Sequence, residues 1–179
     1  VSTYSGRFYE GRAVIGTIAG RMTETDKIGY IASYPIPEVI RGVNAATLAA
    51  RAVNPDVEMH VVWVNSWYDP PREADAARAL IAQDIDVIMQ HTDSPAPLQA
   101  AENAGIPAFG QASDMHRFGP TAQLTAVIDD WAPYYVDRVQ AALDGTWESQ
   151  DSWAGLAAGE VVIAPYWNMP YEDRKSTRL

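Results

Sequence analysis

Not one of the 179 residues is cysteine, which excludes disulfides, thiolate metal sites and cysteine nucleophiles while leaving the compartment open. Positive charge is scarce as well. With 13 Lys and Arg against 23 Asp and Glu the formal net charge is −10, and no long basic block interrupts the acidic background. An electrostatic grip on nucleic acid or anionic lipid is disfavoured. No apolar run approaches the roughly 18 residues of a membrane span, so a soluble product is expected. His60, His91 and His116 lack metal-ligand spacing, and His60 falls within an expected strand. A glycine-rich phosphate turn is missing where one would be sought, since Ala32-Ser33-Tyr34-Pro35 stands there. Thr92-Asp93-Ser94-Pro95 likewise lacks the glycines that flank a serine at a nucleophile elbow.

What is present reads as one cored domain: 47% hydrophobic and 20% charged residues sit in the globular range. Phe8, Val14, Ile15 and Ile18 recur near helical spacing and predict a helix over 7–21. An apolar run at 28–32 reads as a buried strand. Pro35 and Pro37 then open a helix whose Val39, Ile40, Val43, Ala46 and Ala50 form one stripe. Val57, Met59, Val61 and Trp63 alternate as a strand does. Asp69, Pro70 and Pro71 start the next helix, with Ala74, Ala77, Leu80 and Ile81 inward. A third unit has a strand at 86–89, Asp93 or Ser94 as cap, and a helix from Pro95 with Leu98, Ala101 and Ala104 buried. Further strands are expected at 107–110, 124–128 and 160–164, and a helix at 133–143 that stops at Asp144-Gly145.

Strands alternating with helices of this length predict an α/β fold with a parallel, doubly wound sheet and helices on both faces. The pattern changes near Asp130. The stretch 131–172 is too short to bury a core alone and is expected to complete another lobe whose remaining strands lie outside this sequence. The last seven residues, Asp173 to Leu179, carry three of the 13 basic residues. They resemble the translation of a sequencing-library adapter, with an ordinary solvated basic tail as the alternative, and the chain is expected to be a fragment.

In an open parallel sheet, ligands bind beyond the carboxyl ends of the strands. Those exits carry Ser33-Tyr34, Asn65-Ser66-Trp67-Tyr68, His91-Thr92-Asp93-Ser94, Gln111-Ala112-Ser113-Asp114 and Asp129-Asp130-Trp131. Aromatic faces beside carboxylates suit a flat, nitrogen-rich heterocycle, which stacks on the rings and donates N–H groups to the acids. Trp67, His91, Asp93, Ser94, Asp114, Asp129 and Trp131 are therefore the candidate ligand residues. Trp67 and Trp131 as core aromatics, and the acids as helix caps, form the competing reading. No catalytic residue, metal or cofactor is expected.

Several segments in order, among them Tyr9-Glu10-Gly11-Arg12, Lys27-Ile28-Gly29-Tyr30-Ile31-Ala32-Ser33, Pro37-Glu38-Val39-Ile40-Arg41-Gly42, Val62-Trp63-Val64-Asn65-Ser66-Trp67, Ser113-Asp114-Met115 and Leu143-Asp144-Gly145-Thr146-Trp147, resemble the basic membrane protein family. These are substrate-binding proteins of ABC importers, similar to purine nucleoside receptor lipoproteins. The resemblance implies a type I periplasmic-binding-protein fold whose two lobes close on a ligand. It makes 1–130 the second lobe, nearly complete, and 131–172 a return to the first. It also implies transporter membrane subunits as partners, no catalysis, and a periplasmic or lipid-anchored location. Trp67 matches a stacking position and Asp114 the ribose-binding aspartate, but Val127-Ile128-Asp129-Asp130 has acids where the family carries a lysine. That change favours a bare purine such as adenine over a nucleoside. A doubly wound enzyme acting on a small heterocycle and a ligand-sensing regulatory module are the alternatives.

Overall fold

The structure, a computed structural model, describes residues 1–170. The adapter-like tail at 173–179 lies outside the described residues. The elements are β1 (Thr3–Gly6), α1 (Phe8–Met22), β2 (Lys27–Ala32), α2 (Pro37–Val53), β3 (Glu58–Trp63), α3 (Pro70–Ile81), β4 (Val87–His91), α4 (Ala96–Ala104), β5 (Ala108–Ala112), β6 (Gln123–Asp129), α5 (Ala132–Leu143), β7 (Asp151–Ala154) and β8 (Val161–Ile163), with short 3-10 turns at His116–Phe118 and Leu156–Ala158.

Six strands form one sheet in the order β3-β2-β4-β5-β6-β8, parallel except for β8, which runs antiparallel to β6. Strand side chains alternate between faces, and both faces of this sheet are covered. Ile28, Tyr30 and Ala32 of β2 join Ile15, Ile18, Ala46 and Ala50 of α1 and α2 on one side. Ile31 and the β4 residue Ile88 join Ala77, Leu80, Leu98 and Ala101 of α3 and α4 on the other. The helices obey the expected boundary chemistry: the Asp69 carboxylate accepts the Arg72 amide at 3.2 Å to start α3, and Gly105 takes φ 71° to end α4. No helix among the described residues is long and apolar enough to cross a membrane.

A second, two-stranded sheet pairs β1 with β7 in parallel, from Thr3 with Asp151 to Gly6 with Ala154. Neither strand is legible from periodicity, because each is four residues long. The first residues form the β1–β7 pair outside the main sheet, and the stretch after α5 supplies a strand to that sheet, since Val161 pairs with Asp129 and Ile163 with Val127. Beside β1, Tyr4 packs against Trp131, Tyr134 and Tyr135, with the Tyr4 and Tyr135 hydroxyls 3.0 Å apart. Helix α5 buries no residue, and Tyr135, Val136, Val139 and Leu143 form an exposed apolar stripe.

Candidate functional site

The carboxyl ends of β2, β3 and β4 present a row of rings. Tyr34 lies 5.7 Å from Trp67, Trp67 lies 6.0 Å from His91, and His91 lies 5.8 Å from Phe8, all centroid to centroid. The row is graded in exposure: Tyr34 and Trp67 are 36% and 38% exposed, while Phe8 and His91 are buried. Backbone bonds set these positions. Asn65, in the left-handed region at φ 52°, donates to the Ser33 carbonyl at 2.9 Å, and the Asp93 amide donates to the Trp67 carbonyl at 2.8 Å. The strand exits after β2, β3 and β4 are thereby tied together.

Beneath the rings lies Arg12, fully buried on α1. Its Nη2 donates to Gln111 Oε1, and its guanidinium sits 4.7 Å from the Phe8 ring centre and 5.7 Å from that of Tyr30. Burial lowers its pKa from the ordinary value, while Tyr30, Asp129 and Glu38 pull it back up. The same burial pushes His91 down to about 3, with the nearby Arg12 charge adding to the shift, so the imidazole is neutral at pH 7. Asp129 is pushed up to about 6 by burial and then by Glu38, against the pull of Arg12. Asp93 is raised by burial and then by Glu73.

The sequence-derived candidates fall into different settings. Trp67, His91 and Asp93 meet at one place through the ring contact and the Asp93–Trp67 backbone bond. Asp129 ends β6 under Arg12 and Glu38, with Gly6 of β1 so near that an added Cβ would lie 3.4 Å from its Oδ1. Trp131 stacks instead with the Tyr4 group beside β1. Asp114 is engaged with its own neighbours, accepting from Gln123 Nε2 at 2.6 Å and from the His116 amide at 3.1 Å. Ser94 is fully buried: its hydroxyl donates to Glu73 Oε2 at 2.6 Å and accepts the Ala96 amide at 3.3 Å just ahead of α4. Arg12 and Glu73 were not singled out by position alone. The signal for Arg12 was available, because it shares a helical stripe with Phe8 and Ile15, where a cation is out of place unless paired.

Chemically the row can stack a planar ring, and Asp93 and Asp129 can accept its N–H groups. A serine nucleophile with a histidine base is not assembled at Ser94, whose hydroxyl is taken by Glu73. Among the described residues no group of three or more His, Asp or Glu side chains is placed to hold a metal ion.

The His91 shift has a measurable consequence. Its folded pKa lies below the unfolded one, so the unfolded chain takes up the proton first as pH falls from about 6.5, and stability is lost toward about pH 3. Against a His91→Asn variant, the protein is expected to lose up to about 1.4 kcal/mol per pH unit in that window. Asp129 works in the opposite direction, since the folded state holds its proton more tightly between about pH 4 and 6, but it is common to both proteins and cancels in the difference. Urea titrations from pH 7 to 4.5 check this. A constant difference would place His91 in water.

A family profile described as "Bmp: ABC transporter substrate-binding protein PnrA-like" matches residues 1–178. The chain belongs to the Bmp family. Among Bmp relatives, a purine-binding protein of Brucella abortus strain 2308 is 56% identical over 175 residues, covering 98% of this chain and 50% of the relative. A protein of Haloferax volcanii named as a candidate ABC transporter glucose-binding protein is 44% identical over 160 residues, covering 89% of this chain and 41% of the relative. The chain thus spans about half the length of these curated relatives. A solved ABC transporter solute-binding protein from Aeropyrum pernix K1 superposes with TM-score 0.83 at 18% identity, over 92% of this chain and 50% of that one. The Bmp chain therefore has the type I periplasmic-binding-protein fold, of which it supplies part.

Proposed function

We propose that this chain is part of the substrate-binding component of an ABC importer, and that it grips a purine base, adenine before adenosine, without transforming it. The Tyr34–Trp67–His91 row next to Asp93 carries the reading: aromatic faces for a flat heterocycle, neutral imidazole at its side, and carboxylates ready for ring or amino N–H groups. The name of the Brucella abortus relative supports the same ligand class. Acids at Asp129 and Asp130 favour a donor-rich base, because a carboxylate accepts where a lysine would donate.

In this reading α1 to β6 with β8 form most of one lobe, and β1, β7 and α5 belong to the other. Trp131 then faces the ligand from the second side, Asp129 sits between the two, and Asp114 lies at the margin of the cleft. The protein works outside the cytoplasmic membrane and hands its ligand to the transporter's membrane subunits. A sugar is the second reading, supported by the name of the Haloferax volcanii relative and by the ability of aromatic rings to stack on sugar faces.

The test is a competition. Full-length protein equilibrated with equal adenine, adenosine, guanosine and glucose is isolated, and the bound and free compounds are identified by mass. Adenine is expected in the bound fraction, with every compound recovered chemically unchanged. Glucose as the bound species would reverse the order of the two readings, and conversion of any compound would make the protein an enzyme.

A further inference from the structure

We propose that Glu73 is a positioning residue for the ligand wall, its buried carboxylate fastening the loop that carries Trp67 to the exit of β4, where His91 ends the strand and Asp93 follows it. This rests on the purine-binding reading of that wall.

Glu73 lies in the first turns of α3 and is fully buried. A carboxylate out of water must be matched by donors, and here three donors meet it from two directions. Oε1 accepts the Asp69 amide at 2.8 Å, closing the start of its own helix. Oε2 reaches out of the helix to the strand exit after β4, where it accepts the Ser94 hydroxyl at 2.6 Å and the Ser94 amide at 3.3 Å. Ordinary capping would need only the first oxygen. The second links 64–69 to 92–94, and those loops are joined once more by the Asp93 amide on the Trp67 carbonyl. Gln90 Nε2 holds the Thr92 and Ser94 carbonyls at 2.8 Å each, so the β4 exit has little freedom to adjust. Arg72 Nη1 on the Val64 carbonyl at 2.9 Å fixes the other loop at its base. Trp67 is, with Tyr34, an exposed member of the row, and its place beside Asp93 depends on this cross-link. Site geometry that loosens by a fraction of an ångström loses affinity without any ligand contact being removed.

Glu73→Gln is the informative change. It keeps shape and the oxygen toward Asp69 but turns an NH2 group toward the Ser94 amide, setting donor against donor. In the ligand-free full-length protein, amide exchange at Ser94 and Asp93 is expected to quicken about tenfold or more relative to strands β2 and β4. Adenine affinity is expected to fall about tenfold, and the Trp67→Ala, Glu73→Gln double variant to bind no more than about twofold worse than Trp67→Ala alone. A role in stability alone would lower the melting temperature and leave the two losses additive. Ser94→Ala, which removes one bond and leaves the carboxylate in place, repeats the test should Glu73→Gln fail to fold. Unchanged exchange at Asp93 or additive losses would overturn the proposal. Should the wild-type protein bind no adenine, the purine reading fails, and the exchange measurement decides the loop cross-link by itself.

Discussion

Trp67→Ala is expected to weaken purine binding by about 2 kcal/mol, roughly thirtyfold, while leaving the fold intact. The size follows from where the ring sits. Trp67 is 38% exposed yet flanked by Tyr34 and His91 at 5.7 and 6.0 Å, so it offers a broad face whose orientation is already fixed before ligand arrives. Stacking of a base on an aromatic side chain contributes about 1–3 kcal/mol. The backbone on which it stands is held through its carbonyl by Asp93 at 2.8 Å, a bond that alanine retains. Calorimetry on wild type, Trp67→Ala and Trp67→Phe should therefore give a graded loss, Phe recovering part of the affinity. Equal affinity in all three would remove Trp67 from the site.

The second large effect concerns the frame behind the site. Gly16→Ala is expected to destabilise the protein by about 3 kcal/mol, because α1 and α2 approach too closely there for a side chain. A Cβ on Gly16 would lie 2.4 Å from the Ala46 carbonyl oxygen and 2.7 Å from its Cα, and one turn on, a Cβ on Gly20 would lie 2.6 Å from the Ala50 oxygen. Both obstacles are backbone, which cannot rotate away as a flexible side chain would. The helices must part, and Ile15, Ile18, Ala46 and Ala50 lose contact with β2 together. For a chain of this size the loss corresponds to about 6–12 °C in melting temperature. Gly105→Ala is the control for a different cause: nothing lies within 4 Å of its added Cβ, so only its positive φ of 71° is strained. A melting temperature unmoved by Gly16→Ala would mean that the helices cross with more room than the structure gives them.

Much of this arrangement is readable before folding is considered. Periodicity of two at Val57, Met59, Val61 and Trp63, and of 3.6 at Val39, Val43, Ala46 and Ala50, reports which face each residue turns to the core. Parallel order follows from the alternation, and with it the edge where Trp67, His91 and Asp93 gather. Other features depend on contacts across the chain. Strands β1 and β7 lie about 150 residues apart and, among the described residues, form a sheet of just two strands, too short to show a hydrophobic pattern. The placement of β8 against β6 is similarly a matter of pairing, which three residues cannot announce.

Side-chain direction is harder still. Ser94, a polar group at a strand exit, is a buried partner of Glu73, and that pairing rests on a contact 21 residues away that spacing does not report. Arg12 stood in plain view as a cation in an apolar stripe, but its meaning required knowing that Gln111, Tyr30 and Phe8 surround it. The family profile over 1–178 adds what neither spacing nor contacts supply, the kinship with ABC transporter substrate-binding proteins.

The most direct test of the account is an isothermal titration of adenine into the full-length protein at pH 7. A single site with saturable heat, weakened by adding the ribose of adenosine, is the expected result. An absence of heat with adenine, adenosine and guanosine alike would contradict the purine assignment at its centre.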